Sequence, residues 1–386
     1  MSYTSYHGKK RPRSEDRGAS AITASAAHCI ANLVFALLIC PVSAWAWGAD
    51  GHKIVAVIAA DNLTPAAQSH VASILGVSAD KRALVTAMEA ASIRPDTVFR
   101  DEDRRTEPWH FINLCIQDRQ ADIPARCPGG NCVTGKIDEY SRRLKDGRYD
   151  RFGADGDLAF LIHFVGDIHQ PLHAATDSDE GGNCVPVDSR AKNLHAVWDT
   201  TVVRRLEYSI DSGRPETTAH RLEQTYAAER TADAWIPAEA IAWESNQLAR
   251  SDIYAALKIP IAPCQPTACI NAAGRVVDLD SSYLDSADAL AGHQLAKAGF
   301  RLASLLNEIW TQPVGPLDAT GASKPVVAPP PSATGAIGQI VGNRRSKIYA
   351  WPGCGTYDKM APENRVLFPS REVAEQQGYR AARNCP

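Results

Sequence analysis

The sequence has no Cys-x-x-Cys pair, few runs of alternating β-branched residues, no surplus of basic side chains and no apolar run long enough to cross a bilayer. Each absence excludes something. Without closely paired thiolates, disulfides are favoured over a zinc-thiolate site. Scarce alternation argues against a β-sandwich or barrel. The 41 Lys and Arg face 44 Asp and Glu, so no broad basic surface drives non-specific duplex binding. A nucleic-acid ligand would need its phosphates neutralised by something other than side-chain charge. What is present is an apolar content of 45% over 386 residues, enough for a sizeable core in two or three domains.

The N-terminus reads as an export signal. Lys9, Lys10, Arg11, Arg13 and Arg17 form a basic leader, followed by an apolar run from Ile30 to Val42 that is too short for a membrane span. The run ends in Ala44-Trp45-Ala46, so residues 1–46 are expected to be removed, leaving a chain that starts at Trp47. That mature chain has 36 basic and 42 acidic side chains, a net charge near −6. It is expected in a secreted or periplasmic location, without a stable membrane anchor and as a monomer.

Ten cysteines are present, and Cys29 and Cys40 leave with the leader. The even remainder is Cys115, Cys127, Cys132, Cys184, Cys264, Cys269, Cys354 and Cys385, which in an exported chain reads as a disulfide set. Close pairs such as Cys127 with Cys132 and Cys264 with Cys269 are expected to staple short loops.

From Trp47 to Trp310 the pattern is helical. Thr64-Pro65 is a cap and first-turn pair opening an apolar-periodic stretch to Gly76. Further amphipathic stretches lie near Asp157 to His169, Asn193 to Tyr208, Ala232 to Leu257 and Ser281 to Trp310. The expected fold is all-α over residues 47–311, then a Pro- and Ala-rich linker at 312–339, then a small α+β module at 340–386 that Cys354 and Cys385 could staple.

The histidines carry the chemistry. His163 and Asp167 stand four apart on one helix face, and His195 and Asp199 repeat the offset. His173 follows Pro171, where the helix must end or bend. His52, His110 and Asp96 add further ligand types. Imidazole with carboxylate suits catalytic zinc, which keeps a position open for water. Lone histidines such as His70, His220 and His293 read as ordinary surface or core residues. Trp47 has two readings. It is a buried aromatic near a mature terminus, or its freed amine and its carbonyl chelate a metal, since an α-amine loses its proton near neutrality.

Taken jointly, Trp47-Gly48-Ala49-Asp50-Gly51-His52, Trp109-His110-Phe111, the run from His163 to His173, Gly181-Gly182-Asn183, Asn193 to Asp199 and Ala298 to Ala303 resemble the zinc-dependent single-strand nucleases, also called class I or S-one/P-one nucleases. The resemblance implies an all-α fold similar to that of the zinc-dependent phospholipases C, and three zinc ions. One would take Asp96, His110, His163 and Asp167. A second would take the Trp47 amine and carbonyl, His52 and the other oxygen of Asp167. The third would take His173, His195 and Asp199, while His169 is structural. The implied reaction hydrolyses single-stranded DNA and RNA to 5′-phosphorylated products, with removal of 3′-phosphates from nucleotides as a further activity. In that reading Asp96 and Asp167 are catalytic through their metals, Phe111 stacks on a base and Asn113 meets the base edge. Relatives place Arg or Lys three residues after the aspartate matched by Asp96. Here that position is Phe99, and Arg100 is expected to serve the phosphate instead. A phospholipase C, or a non-catalytic protein that binds zinc or nucleic acid, are the alternatives.

The tail resembles the Ada-type metal-binding module through Gly342 to Tyr349, Pro352-Gly353-Cys354, Asn364 to Phe368 and Ala374 to Cys385. Members that bind metal have four cysteines, whereas only Cys354 and Cys385 are present here. The basic residues of the tail suggest either an auxiliary grip on nucleic acid or a disulfide-stapled module with a solvated charged face.

Overall fold

The computed structural model describes residues 47–211, 213–261, 263–266, 269–270, 276–311 and, with short interruptions, 340–385. The expected leader at 1–46, with Cys29 and Cys40, and the expected linker at 312–339 lie outside the described residues.

The body is built on two buried helices, α1 (Gly48–Asp61) and α5 (Gly153–His169). In α1, every residue from Ile54 to Ala60 is buried, and in α5 every residue from Gly156 to His169 is. A helix buried on all sides must be surrounded by others. α1 packs against α3 (Lys81–Ser92), α7 (Pro215–Thr225) and α9 (Ser281–Ile309), while α5 packs against α3, α4 (Val133–Asp146) and α9. Each fully buried Ile, Leu or Phe in this centre contributes about 1.5–3 kcal/mol. The helices α1 and α9 approach closely at Gly299, where an added Cβ would lie 2.5 Å from Cβ of Ile58.

The local signals act as expected. Helix α2 (Pro65–Leu75) opens with Thr64 Oγ1 accepting from Ala67 N and closes on Gly76 at φ 68°. The stretch begun at Asn193 is capped by that residue, whose Oδ1 accepts from Ala196 N. It then passes through a π-helical turn at Val197–Val202 into α6 (Val203–Asp211). The stretch read as Ala232 to Leu257 is shorter than periodicity suggested. Pro237 precedes α8 (Ala238–Leu248), and a second π-helical turn at Ala249–Ala255 completes it. Among the described residues of 47–311, extended pairing is confined to isolated bridges.

Disulfides join Cys115 to Cys264, Cys127 to Cys132, Cys184 to Cys269 and Cys354 to Cys385. The Cys127–Cys132 staple is as expected, but Cys264 and Cys269 do not bond to each other. Each instead bonds to a distant cysteine, across 149 and 85 residues of sequence. Short spacing therefore misidentified a loop held at two points as a loop closed on itself.

Residues 340–381 form a small α+β unit. Strands β1 (Ile340–Asn343), β2 (Ile348–Ala350), β3 (Arg365–Phe368) and β4 (Arg380–Ala381) make one sheet in the order β3-β1-β2-β4, with a short helix, α10 (Arg371–Gln376), on it. Its core is Ile340, Tyr349, Phe368, Ala374 and Tyr379. The whole is the expected combination of a helical body and a small mixed module.

Candidate metal centre

Seven short and long elements deliver the site. Helix α1 brings His52 from its first turns, α5 brings His163 and Asp167, and the 3-10 turn at Pro171–Ala174 brings His173. A π-helical turn at Pro95–Phe99 carries Asp96, and a 3-10 helix at Arg104–His110 ends on His110. His195 and Asp199 lie on the short helix Leu194–Ala196 and the π-helical turn that continues it. Gly166 makes room: a Cβ there would lie 2.8 Å from Nδ1 of His52, whose ring stacks on His163 at 3.7 Å between centroids.

The side chains gather into three groups whose donor atoms lie within 4.8 Å of one another: His52, His163 and Asp167; Asp96, His110 and His163; His173, His195 and Asp199. All of these residues are buried. Asp167 divides its oxygens. Oδ1 stands 3.2 Å from Nε2 of His52, while Oδ2 stands 2.9 Å from Nδ1 of His110 and 3.4 Å from Nε2 of His163. The Asp96 carboxylate reaches His110 at 3.7 Å and His163 at 3.6 Å. In the third group, Nε2 of His195 lies 3.3 Å from Oδ2 of Asp199 and 3.1 Å from Nε2 of His173. A fourth grouping, Glu180 with Cys184 and Cys269, is no metal site, because its two sulfurs are bonded to each other.

The backbone fixes which nitrogen faces inward. Nδ1 of His163 donates to the Ser92 carbonyl at 2.7 Å, Nδ1 of His173 to the His110 carbonyl at 2.7 Å and Nδ1 of His195 to the Gly181 carbonyl at 2.6 Å. In a neutral ring the opposite nitrogen is then an acceptor. Nε2 of His173 and Nε2 of His195 therefore meet lone pair to lone pair, and Nε2 of His163 meets carboxylate oxygens in the same way. Such an arrangement repels itself unless a cation or a proton lies within it. The donor set, imidazole nitrogen with carboxylate oxygen, is the one zinc takes in hydrolytic sites.

Burial sets the protonation. It holds His163 and His173 well below the usual imidazole range, His110 below it and His195 at about 4. The same desolvation pushes Asp167 up to about 7 and Asp199 well above its ordinary value. It also raises Asp96, against the pull of the Arg100 guanidinium. The rings are thus kept neutral, as metal ligation requires, and the carboxylates lack the positive charge that a divalent ion would bring.

Around this centre, Trp47 is fully buried as the cap of α1. A Cβ on Gly48 would lie 2.9 Å from the Asp199 carbonyl oxygen, so the start of α1 rests against the third group. Phe99 enters the core among Phe152 and Phe160, and the next residue turns to the site: Nη2 of Arg100 donates to Oδ1 of Asp96 at 2.6 Å. Its Nε and Nη1 are buried and meet no acceptor among the described residues. Phe111 is 37% exposed, so it does not pack in the core beside His110. Asn113 is half-buried two residues on. His169 stays outside the three groups, with Nδ1 donating to Val165 O and Nε2 facing Arg301 Nη1 at 3.3 Å.

Two supporting residues escaped the sequence reading. Gln170 is fully buried, and its Nε2 donates to Oδ1 of Asp199 at 2.7 Å while its Oε1 accepts from Leu172 N at 2.6 Å. Arg301 reaches from α9 to His169 and to Glu244 at 2.7 Å. Gln170 lies inside the densest motif of the chain and was legible there as a buried amide between two histidines. Arg301 lies in the Ala298 to Ala303 motif, but nothing in its spacing pointed it at His169.

The chain is similar to known proteins over the body that holds this site. The S1/P1 Nuclease family model matches residues 47–311. Endonuclease 2 of Arabidopsis thaliana is 29% identical over 280 residues, 68% of this chain and 90% of that protein. Nuclease P1 of Penicillium citrinum is 31% identical, covering 68% and 97%. Nuclease S1 of Aspergillus oryzae is 28% identical, covering 70% and 93%. The family match stops short of residues 340–386, so the likeness of that segment to the Ada-type module rests on its motifs alone. With the matched residues spanning the whole helical body and its buried histidine and aspartate groups, the chain belongs to the S1/P1 nuclease family.

Proposed function

We propose that the chain is an exported endonuclease that hydrolyses single-stranded DNA and RNA to 5′-phosphorylated products, and removes 3′-phosphates from nucleotides, with three zinc ions. The observation that carries this reading is the division of the Asp167 carboxylate, one oxygen toward His52 and the other toward His110 and His163. A carboxylate so placed would serve two neighbouring groups of ligands at once.

In this reading Asp96, His110, His163 and Asp167 hold one ion. The Trp47 amine and carbonyl, His52 and Asp167 hold the second, and His173, His195 and Asp199 hold the third. Bound zinc supplies a water acidified to near neutral pH and positive charge for the phosphate and the leaving 3′ oxygen. The chain's own residues do the rest. Carbonyls of Ser92, His110 and Gly181 keep the imidazoles in one tautomer and orientation. Arg100 holds Asp96 with one nitrogen and offers its remaining donors to a phosphate oxygen. The exposed ring of Phe111 stacks on an unpaired base, a face that a duplex hides, and Asn113 faces the base edge. An acidic body can then hold a polyanion at its site, because the cations there would neutralise it.

Trp47 lies fully buried at the start of α1, beside the third group, where a freed amine would reach a cation. Among the described residues no helix is long and apolar enough to cross a membrane, and four disulfides suit an oxidising compartment.

The test incubates purified mature protein with single-stranded DNA, single-stranded RNA, duplex DNA and lecithin, and analyses the product ends. Cleavage of both single strands to 5′-phosphates, slow attack on duplex and no release of phosphorylated headgroup are expected. Headgroup release without nucleotide products would reassign the chain to phospholipase chemistry.

A further inference from the structure

Residues 340–386 carry eight basic and four acidic side chains, whereas residues 47–311 carry 27 basic and 37 acidic. The small module is thus as clearly cationic as the body is anionic. Strand register concentrates that charge. β1 ends at Asn343, which pairs with Ile348 at the start of β2 and with Arg365 at the start of β3, and Ile348 pairs in turn with Arg380, the first residue of β4. Arg344, Arg345 and Lys347 lie in the turn from β1 to β2. Five cations, Arg344, Arg345, Lys347, Arg365 and Arg380, therefore share one end of a four-stranded sheet, and all five are exposed. Four strands span about 14 Å at their usual spacing, the width of several phosphates.

The turn is held in shape. Oδ1 of Asn343 accepts from the backbone nitrogens of Arg345 and Ser346, both at 3.0 Å. Arg344 N donates to the Asn364 carbonyl and Arg380 N to the Lys347 carbonyl, which laces the turn to its neighbours. Lys347 Nζ sits 4.4 Å over the ring of Tyr379. Nε of Arg365 donates to the Met360 carbonyl. Among the described residues, Glu102 lies beside this end, 3.7 Å from Arg344 Nη1, and both side chains are largely exposed, so the pair is weak.

We propose that this end of the sheet binds the phosphate backbone of single-stranded nucleic acid and so holds a long substrate to an enzyme whose body repels it. The proposal rests on the nuclease reading for its substrate, but not for its measurement. Four or five cations ordered across a rigid edge recruit a polyanion through counterion release, without reading sequence. Long strands gain from the second contact, and substrates too short to reach it do not.

The test uses the full mature, zinc-loaded chain and a labelled phosphorothioate oligothymidylate of about 30 nucleotides, chosen for slow hydrolysis, with anisotropy read over a salt series. The charge-reversed variant carries Arg344→Glu, Arg345→Glu and Lys347→Glu. A milder variant, Arg344→Gln with Arg345→Gln, guards against misfolding, and both are checked by melting. The expected result is at least about tenfold weaker binding for the reversed variant, and a log-log salt slope flatter by about 2, from three lost contacts at roughly 0.7 each. The milder variant lies between, and turnover of a dinucleotide is unchanged in both. Unchanged affinity and slope in both folded variants would overturn the proposal. So would loss of binding confined to phosphatidylserine vesicles, which would make the surface a lipid contact. A wild-type chain that binds the oligonucleotide through this edge yet leaves the dinucleotide intact would refute the nuclease reading while leaving this one standing.

Discussion

Gln170 shows how much of the site is carried by residues outside the three His and Asp groups. Its amide donates to one oxygen of Asp199 and leaves the other facing His195. Replacing Gln170 by Ala removes the donor and leaves a buried oxygen unpartnered. Zinc affinity of the His173, His195 and Asp199 group should fall by about 10–100-fold, read by chelator competition, with the other two groups retaining metal. Arg100 is a second residue to test. Arg100→Ala should lower kcat/KM on single-stranded DNA by about 10²-fold or more, the scale of losing one charged transition-state donor, and Arg100→Lys should recover part of it. An Ala variant with wild-type turnover would show that Arg100 only balances Asp96. Protonation gives a third test, and its sign is set by the direction of each shift. In the chelated protein, Asp167 at about 7 binds a proton that the unfolded chain has released, so this stability is lost as pH rises through 7. His195 at about 4 works the other way: the unfolded chain binds the proton first, so stability is lost as pH falls from the ordinary histidine value toward 4. Zinc removes the first penalty and keeps the second. The gap in Tm between zinc-loaded and chelated protein should therefore widen as pH rises from about 5 to about 7.5, and a gap independent of pH would contradict these assignments.

At the scale of elements, the site depends on two helices coming closer than ordinary side chains permit. Gly166 on α5 leaves the space that the His52 ring of α1 occupies. Gly166→Ala should cost about 1–3 kcal/mol, read by denaturant unfolding, and should weaken the metal group shared by His52 and Asp167 more than the third group. Equal loss at all groups would mean the substitution acts through global stability alone. Much of this level was legible in advance. The i,i+4 spacing of His163 with Asp167 and of His195 with Asp199 sufficed to place each pair on one helix face, and Thr64, Asn193 and Gly76 marked real helix ends. What periodicity did not reveal were the π-helical turns at Pro95–Phe99 and Val197–Val202. Each adds one residue to a turn and so rotates the side chains beyond it. At Pro95–Phe99 this takes Phe99 into the core and turns Arg100, the proposed phosphate contact, to Asp96. Local patterns name helices, but they do not register a single extra residue whose cost is met by packing on Phe152 and Phe160.

For the molecule as a whole, long-range bonds hold the site's loops, and these were the least legible feature of the sequence. Nothing in the spacing of Cys264 and Cys269 shows that they bond to Cys115 and Cys184, because the partners are brought together only by the completed fold. The Cys115–Cys264 bridge spans 149 residues, and opening a loop of that size costs on the order of 5 kcal/mol in the chain-entropy picture. Cys115→Ser with Cys264→Ser should therefore lower Tm strongly, while the local Cys127–Cys132 bridge should matter less. The reverse ranking would show that the short staple, and not the long tie, secures the body. The charge contrast between the acidic body and the basic module was legible from residue counts alone. The gathering of the basic residues at one sheet end needed the strand register. All of these features serve one claim, that nine residues from Trp47 to Asp199 hold the cations that break the phosphodiester bond. The most direct measurement is the zinc content of the purified mature chain, tracked together with single-strand cleavage through a stepwise chelator titration and zinc add-back. Three zinc ions per chain are predicted, with activity that falls and returns with them. Full activity in a chain stripped of zinc would contradict the claim.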